Sequence, residues 1–571
     1  MFKVNFSRPL TLTLTAAFAF SLSGCQEDTL DAATSAQIDA TQLSETVRVL
    51  ASDEFYGRAP GGPGEALTVN YLIERFTELG LEPAGEGGGW TQSVPLIHTQ
   101  ISGQADNAPS LQLNATGATV NLIQGTDVEF STTRPVTQAI IENAPIVFVG
   151  HGAFAPERDW DDFGDIDLRG KLAIFLVNDP DFAAQEDEAI AGRFGGKRMT
   201  YYGRWTYKFE EAARRGALAA LVVHDDAGAG YGWNVASSSP GENYSIERPA
   251  TSLEPPLLQG WIHNDAAGDL FALAGLTLEE QRRLARSEDF EAFELEGVTL
   301  STTLEVDMEV VQSRNVLARL KGSSRPEETI MVSGHWDAYG VGEPDSLGRT
   351  VRPGANDDAL GIAGVIELAR VLSKEDRPER SVVFAAWTAE ESGLLGSEAY
   401  ASRPLFPLET TVANFTLDIL QTAGPARDVI QVGEGQSELE QDLARAAALQ
   451  KRTVTPENLP ENGLFFRADH FSLARRGVPV LLIMGIAGGA DLIEGGRAAG
   501  DKWIADYTAN CYHQTCDAWS PDWDLRGAVQ DIELFLSIIT DLANSSRWPE
   551  LLPSSEFKSI RDESRHLRSN R

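Results

Sequence analysis

Residues 329–340 read TIMVSGHWDAYG, residues 353–372 PGANDDALGIAGVIELARVL, and residues 382–397 VVFAAWTAEESGLLGS. TIMVS and VVFAAW are short, mainly apolar runs of the kind that fill a strand covered on both faces. Between them, Ile362, Val365, Ile366, Ala369 and Leu372 share one face at helical spacing, which predicts a helix lying on the sheet with Asp358 at its N-terminal end. The pattern continues outward. VANFTLDI (412–419) and VPVLLIM (478–484) read as further strands, and Val529, Ile532, Phe535, Ile539 and Leu542 mark a closing helix over 526–543. Strands alternating with helices predict an α/β fold. Upstream, Val69, Leu72, Ile73, Phe76 and Leu79 predict an amphipathic helix over 65–79, stopped by Gly80.

The chemistry-bearing side chains fall where these strands end. His335 and Asp337 follow TIMVSG, Asp357 and Asp358 sit in a turn before the helix, Glu390 and Glu391 follow VVFAAWTA, and Asp418 ends a strand. His513 lies in a Tyr-His-Gln loop. Open α/β sheets gather ligands at the carboxyl ends of their strands, so these groups are expected at one rim. Several unpaired carboxylates there would repel one another strongly. Two divalent cations would relieve that repulsion, with imidazole nitrogens completing donor sets suited to zinc. Taken singly, each group reads as an ordinary solvated loop residue; their order and spacing carry the expectation.

The ordered pieces SGHWDAYG, PGANDDALG, AAWTAEESGLLGS, NFTLDIL, RADHFSLARRGVPVL and CYHQTCD, spread over about 300 to 545, resemble the di-zinc exopeptidases of metallopeptidase family twenty-eight, of the bacterial leucyl aminopeptidase type. The opening segment LASDEFYGRAPGGPGEALTVNYLIERFTELGL resembles the family's opening as well. The resemblance implies a catalytic three-layer αβα domain on a mixed, mostly parallel sheet. Carried over by position, it implies that Asp357 bridges two zinc ions, with Glu391 and His513 completing one and His335 and Asp418 the other. Glu390 is then the general base, and Asp337 orients His335 by accepting its ring N–H. The peptide bond between Asp357 and Asp358 is expected to be cis. The chain departs from the family's habit at Leu360, Ile419, Leu420 and Gln514, none of them a ligand, so the departures touch pocket shape and substrate preference. Arg467, Asp469, His470 and the Gly-rich stretch 484–500 are candidates for the pocket wall, with His470 read as structural.

The activity implied is zinc-dependent removal of N-terminal residues from peptides. The alternatives are a carboxypeptidase or dipeptidase of the same family, a glutaminyl cyclase, or a non-catalytic receptor-like lipoprotein. No G-x-S-x-G element is present to support a serine mechanism.

The stretch PIVFVGHGAFAPERDWDDFGDIDLRGKLAIFLVNDP (145–180), followed by KFEEAARRGALAALVVHD (208–225), resembles a protease-associated domain, a smaller β-rich αβ module inserted at about 135–262. The expected organisation is a lipoprotein signal over 1–24, a tether over 25–40, the N-terminal part of the catalytic domain over 41–134, the insert, a connecting segment over 263–308, the rest of the catalytic domain over 309–545 and a C-terminal tail over 546–571. The signal is read from Lys3 and Arg8 ahead of an apolar run ending Leu22-Ser23-Gly24-Cys25, which resembles the bacterial lipoprotein motif with Cys25 as the lipidated residue. Gln26 in the next position implies the outer membrane. Cys511 and Cys516 remain as an even pair that an oxidising compartment allows to bridge, with two reduced thiols as the other reading.

The 571 residues carry 47 basic against 84 acidic side chains, a formal charge of −37. A field of that sign repels phosphate backbones, so nucleic acid is not an expected partner; the charge names no substrate, and peptides are what the family resemblance implies. No later run reaches the length of a membrane helix, which leaves the lipid as the membrane contact. No long segment follows the closing helix, and a monomer is expected.

Overall fold

The computed structural model describes residues 37–102, 108–238, 240–248 and 253–568. The signal-like segment and Cys25 lie outside these residues. Four parallel strands run side by side in the order Val480–Met484, Thr411–Asp418, Arg325–His335 and Arg380–Trp387. The antiparallel strand Phe293–Leu320 follows next to Arg380–Trp387.

Successive residues of these strands face opposite layers, as the pleat requires. Ile330, Val332, Val382, Phe384 and Ala386 pack with helices Pro63–Glu78, Leu360–Lys374 and Arg526–Ala543. Met331, Val383, Ala385 and Trp387 pack with Tyr400 of helix Leu395–Ser402 and with Leu473 of helix His470–Ala474. The result is a mixed, mostly parallel sheet covered on both faces. Ile362, Val365, Ile366, Ala369 and Leu372 are all buried, as their spacing predicts, and each large aliphatic group so placed contributes about 1.5–3 kcal/mol. In the other two helices Ile73, Leu79 and Val529 are only partly buried and flank the contact stripe.

A distal half continues the same sheet. Strands Gln138–Phe148, Leu172–Leu176, Ala219–Val223 and Leu258–Ile262 are parallel, with Val128–Ser131 antiparallel at the edge. Ile146, Phe148, Ile174 and Leu221 face one core, and Val147, Phe175 and Val222 the other. The first of these cores also takes side chains from Ile101 to Phe130 and from Ala266 to Val306. The packing unit therefore reaches beyond 135–262 on both sides, drawing in strands Ser110–Ala115 and Ala118–Ile123 and helices Asn264–Leu273 and Leu278–Leu284.

Strand Phe293–Leu320 joins the halves. Its first part pairs with Gln138–Phe148, its middle with Thr91–Ser102, and its last residues, Val316–Leu320, with Arg380–Trp387. Leu300, Thr302, Leu304 and Val306 alternate with more exposed neighbours, and the pairing with Gln138–Phe148 shifts register between Leu300 and Thr302. At the C-terminal end, Leu551 and Phe557 are buried against Leu464, Phe466 and Phe471, so residues expected as a tail pack onto the site-bearing half. Among the described residues, no helix is long and apolar enough to cross a membrane.

Candidate metal centre

The strand register decides which side chains meet. Ser333 pairs with Thr416 across neighbouring parallel strands, so His335 and Asp418, two residues further on, leave adjacent strand ends together. His335 pairs with Trp387, and Glu390 and Glu391 lie just past that strand. Asp357 enters from the turn Ala355–Ala359, whose Asp357–Asp358 peptide bond is cis, as expected. His513 arrives from the loop after helix Gly496–Asn510, within a loop closed by a Cys511–Cys516 disulfide.

The two oxygens of Asp357 face different imidazoles. Oδ1 lies 3.1 Å from Nε2 of His335, and Oδ2 lies 3.3 Å from Nε2 of His513. Glu391 Oε2 stands 3.4 Å from the same His513 nitrogen. Donor atoms of His335, Asp357 and Asp418 lie within 4.8 Å of one another, and so do those of Asp357, Glu391 and His513. Asp357 is common to both groups. All five residues expected as ligands therefore converge. Glu390 is close too: its Oε2 is 3.9 Å from His335 Nε2, and it forms a third such group with His335 and Glu391.

Each imidazole is turned by what holds its other nitrogen. Nδ1 of His335 faces the main-chain oxygen of Asp337 at 3.2 Å and its carboxylate at 3.5 Å. The proton is thereby placed on Nδ1, and Nε2 is free to act as a donor atom. The Asp337 carboxylate itself accepts the amides of Glu390 at 3.1 Å and Glu391 at 3.4 Å. Asp337 thus touches the His335 ring more closely through its backbone than through the side chain expected to do so. Nδ1 of His513 lies 3.0 Å from the Tyr339 hydroxyl, and its ring is packed between Tyr339 and Tyr512.

Burial and repulsion shape the acids. Burial, followed by the charge of Asp357, pushes Asp418 up to about 8. Glu390 is raised well above the carboxylate range by burial, and Asp418 and Asp469 add to this against the attraction of His335. Glu391 is raised by burial, then by Asp357 and Glu390. Burial would raise Asp357 as well, but the His335 and His513 imidazoles facing its two oxygens hold it low. A cluster with this excess of oxygen donors, and with Nε2 of both rings turned inward, fits divalent cations, which offset the repulsion and take imidazole and carboxylate together.

Three supporting residues gave no separate signal in the sequence. Arg58 is fully buried and donates to the main-chain oxygens of Leu50, Trp336, Pro353 and Gly354, tying the opening segment to both the His335 and Asp357 turns. Asp517 accepts the amides of Asn356 at 3.0 Å and Asp357 at 3.1 Å. Tyr339 fixes His513 as described. All three stand inside stretches that carried the family resemblance, and the position of each within its stretch was the available clue. Asp358, expected at the helix start, accepts the amide of Gly361 at 2.9 Å and that of His335 at 3.1 Å. A Cβ at Gly361 would lie 2.1 Å from Asp358 Oδ1, so no larger residue fits there.

Ala389, Ile419 and His513, which precede, follow or form the site, have φ of 52°, 49° and 62°. Left-handed backbone at residues other than glycine costs about 1–2 kcal/mol each and clusters where geometry is over-determined. Of the pocket candidates, Arg467, Met484 and Ile486 line a cleft of about 870 Å³ together with Asp357, Glu390, Glu391, Asp418 and His513. His470 is buried against Phe465 and is held neutral by burial, its pKa pulled down to about 3.

A covered α/β sheet whose strand ends collect two imidazoles and several buried carboxylates offers a site for divalent metal ions. Residues 315–536, the part of the chain that carries most of it, match the family model of Peptidase family M28. A probable zinc metalloprotease of Leptosphaeria maculans is 41% identical over 87 residues, which is 15% of this chain and 20% of that protein. The chain spans about a fifth of the length of the curated relatives it matches. Among solved structures, an aminopeptidase from Aneurinibacillus sp. strain AM-1 is similar at 20% identity, covering 90% of this chain and 96% of that one with a TM-score of 0.47. A zinc aminopeptidase from Bacillus subtilis is similar at 16% identity, covering 92% and 99% with a TM-score of 0.41.

Proposed function

We propose that this protein is an exported zinc-dependent aminopeptidase that hydrolyses N-terminal residues from peptides. The observation that supports this reading best is Asp357 lying between two imidazoles, each with its own further carboxylate partner. In this reading His335, Asp357 and Asp418 hold one zinc ion, and Asp357, Glu391 and His513 hold a second. When bound, the ions supply Lewis acidity: they polarise the scissile carbonyl and make water acidic enough to attack near neutral pH.

The chain's own groups do the rest. Glu390 takes the proton of the attacking water and returns it to the departing amine, a task suited to a buried carboxyl whose affinity for protons is raised. Asp337 holds the amides of Glu390 and Glu391, so that base and neighbouring ligand keep a fixed spacing. Residues 135–262 are read as the protease-associated module, and export with lipidation at Cys25 belongs to the same proposal.

The test is hydrolysis of aminoacyl p-nitroanilides and of C-terminally blocked and N-terminally blocked peptides, with metal content measured on the same preparation. Turnover of the first two classes at a stoichiometry of two zinc ions is expected. Turnover confined to N-blocked peptides would replace the reading by a carboxypeptidase, and inactivity with bound zinc by a receptor-like protein.

A further inference from the structure

One short strand of the distal half ends beside the turn that carries Glu390 and keeps an edge unpaired. Glu242–Ile246 pairs antiparallel with Thr91–Ser102 and, among the described residues, with no other strand. The Ile101 amide donates to the Gly241 carbonyl opposite it, and the Glu247 amide to that of Pro95. Hydrogen-bonded and non-hydrogen-bonded pairs alternate along an antiparallel ladder. Asn243 and Ser245 therefore turn their main-chain groups toward Thr91–Ser102, while Glu242, Tyr244 and Ile246 aim theirs away from it. Among the described residues, nothing takes the outward N–H and C=O groups of these three.

That edge belongs to the cleft. Asn243, Tyr244 and Ile246 line it together with Asp357, Glu390 and Glu391. Ile246 is 8% exposed and packs in one buried cluster with Ala389, the residue before Glu390, and with Leu395 and Ala399 of the helix that follows. At the other end the Glu242 side chain is 37% exposed. The strand thus runs outward from the catalytic turn, Ile246 first and Glu242 last.

Main-chain groups left unpaired at a nearly buried residue carry a desolvation cost, and native sheets cover or blunt such edges. An extended peptide supplies the missing ladder by adding a strand. A peptide whose amino end lies at the metal centre must leave along this edge in the direction Ile246 to Glu242, antiparallel to the strand. We propose that the edge of Glu242–Ile246 binds the departing portion of the substrate as an added antiparallel strand. The proposal rests on the aminopeptidase reading and deepens it, since the distal half then selects extended, unfolded peptides. Two substrate residues, spaced two apart, exchange N–H and C=O bonds with Tyr244 and Ile246, and the residue between them makes none.

The experiment uses full-length, zinc-loaded protein and a heptapeptide amide with Leu first and Ala after it, with four copies each N-methylated at one residue from the third to the sixth. Methylation is expected to raise KM about three- to tenfold at alternate positions and to have little effect between them. Tyr244→Pro deletes one outward N–H while leaving the bonds of Asn243 and Ser245, and proline is tolerated on a sheet edge. In this variant the ratio of kcat/KM for the heptapeptide amide to that for leucine p-nitroanilide should fall about three- to tenfold. Tyr244→Ala keeps the backbone and should keep the alternation, with circular dichroism confirming both folds. A methylation series without alternation overturns the pairing, and so does an equal fall of the ratio in Tyr244→Ala and Tyr244→Pro. If Tyr244→Pro does not fold, the series on wild-type protein decides alone.

Calorimetric binding of the same series to Glu390→Ala protein separates this proposal from the reading beneath it. If wild-type protein hydrolyses no peptide with a free amino end, the aminopeptidase reading fails. Affinities that alternate along the series still support the strand pairing, and uniform affinities reject it.

Discussion

The carboxylate of Asp517 accepts the main-chain amide of Asp357 at 3.1 Å. Through this bond the segment that carries His513 also fixes the turn that carries the shared carboxylate, and a second bond to Asn356 at 3.0 Å sets its angle. Asp517 is itself buried, and burial lifts its pKa to about 7.

Asp517→Ala leaves two buried amides without acceptors, which costs about 2–4 kcal/mol. Zinc affinity, measured by competition with a chelator, should fall roughly 10–100-fold, as for other groups that orient ligands from behind. Unchanged affinity would show that the Asp357 turn holds its shape unaided.

Glu390→Gln should reduce hydrolysis by about 10²–10⁴-fold while metal content stays at the wild-type value. Glu390 also lies within reach of His335 and Glu391 as a donor, so metal analysis is the deciding readout. Loss of an ion would reassign it from base to ligand.

Reduction of the Cys511–Cys516 bond, or its replacement by serines, frees the backbone around His513. A loop this small contributes about 2 kcal/mol by chain entropy. The ion shared by Asp357, Glu391 and His513 should be released first on titration with chelator, leaving the other bound. Simultaneous release of both would mean the loop does not tune one position separately.

Glu129 supplies a pH signature in the distal half. Burial pushes it up to about 7, although the Gly241 amide and the Gln124 side chain donate to it, and its Oε2 has no partner. A carboxyl whose pKa is higher folded than unfolded contributes stability that is complete below its ordinary value of 4.5 and lost as pH rises through 7. With allowance for solvent screening the loss is about 2 kcal/mol. Denaturant melts at pH 5 and pH 8 should show it, and Glu129→Gln should flatten the difference; an identical slope in the variant would sink the assignment.

What could be read from the sequence was what depends on order along the chain. His335, Glu391 and Asp418 each sit at or just past the end of an apolar run, where strand register brings them together, while Asp357 and His513 join them from a turn and a disulfide-closed loop. Arg58 could not be read in this way. It bonds only to main-chain oxygens, which have no residue-type signature. The limits of the distal half were blurred for a related reason. Alternating residues of strand Phe293–Leu320 run on from one core to the other without a turn signal to mark the crossing.

That uninterrupted strand has a practical outcome for anyone trimming the protein. A recombinant fragment beginning near residue 315 would keep every side chain proposed as a metal ligand, yet would sever the common spine and bare the flank to which Thr91–Ser102 is stitched. Such a fragment should precipitate rather than act as a minimal enzyme.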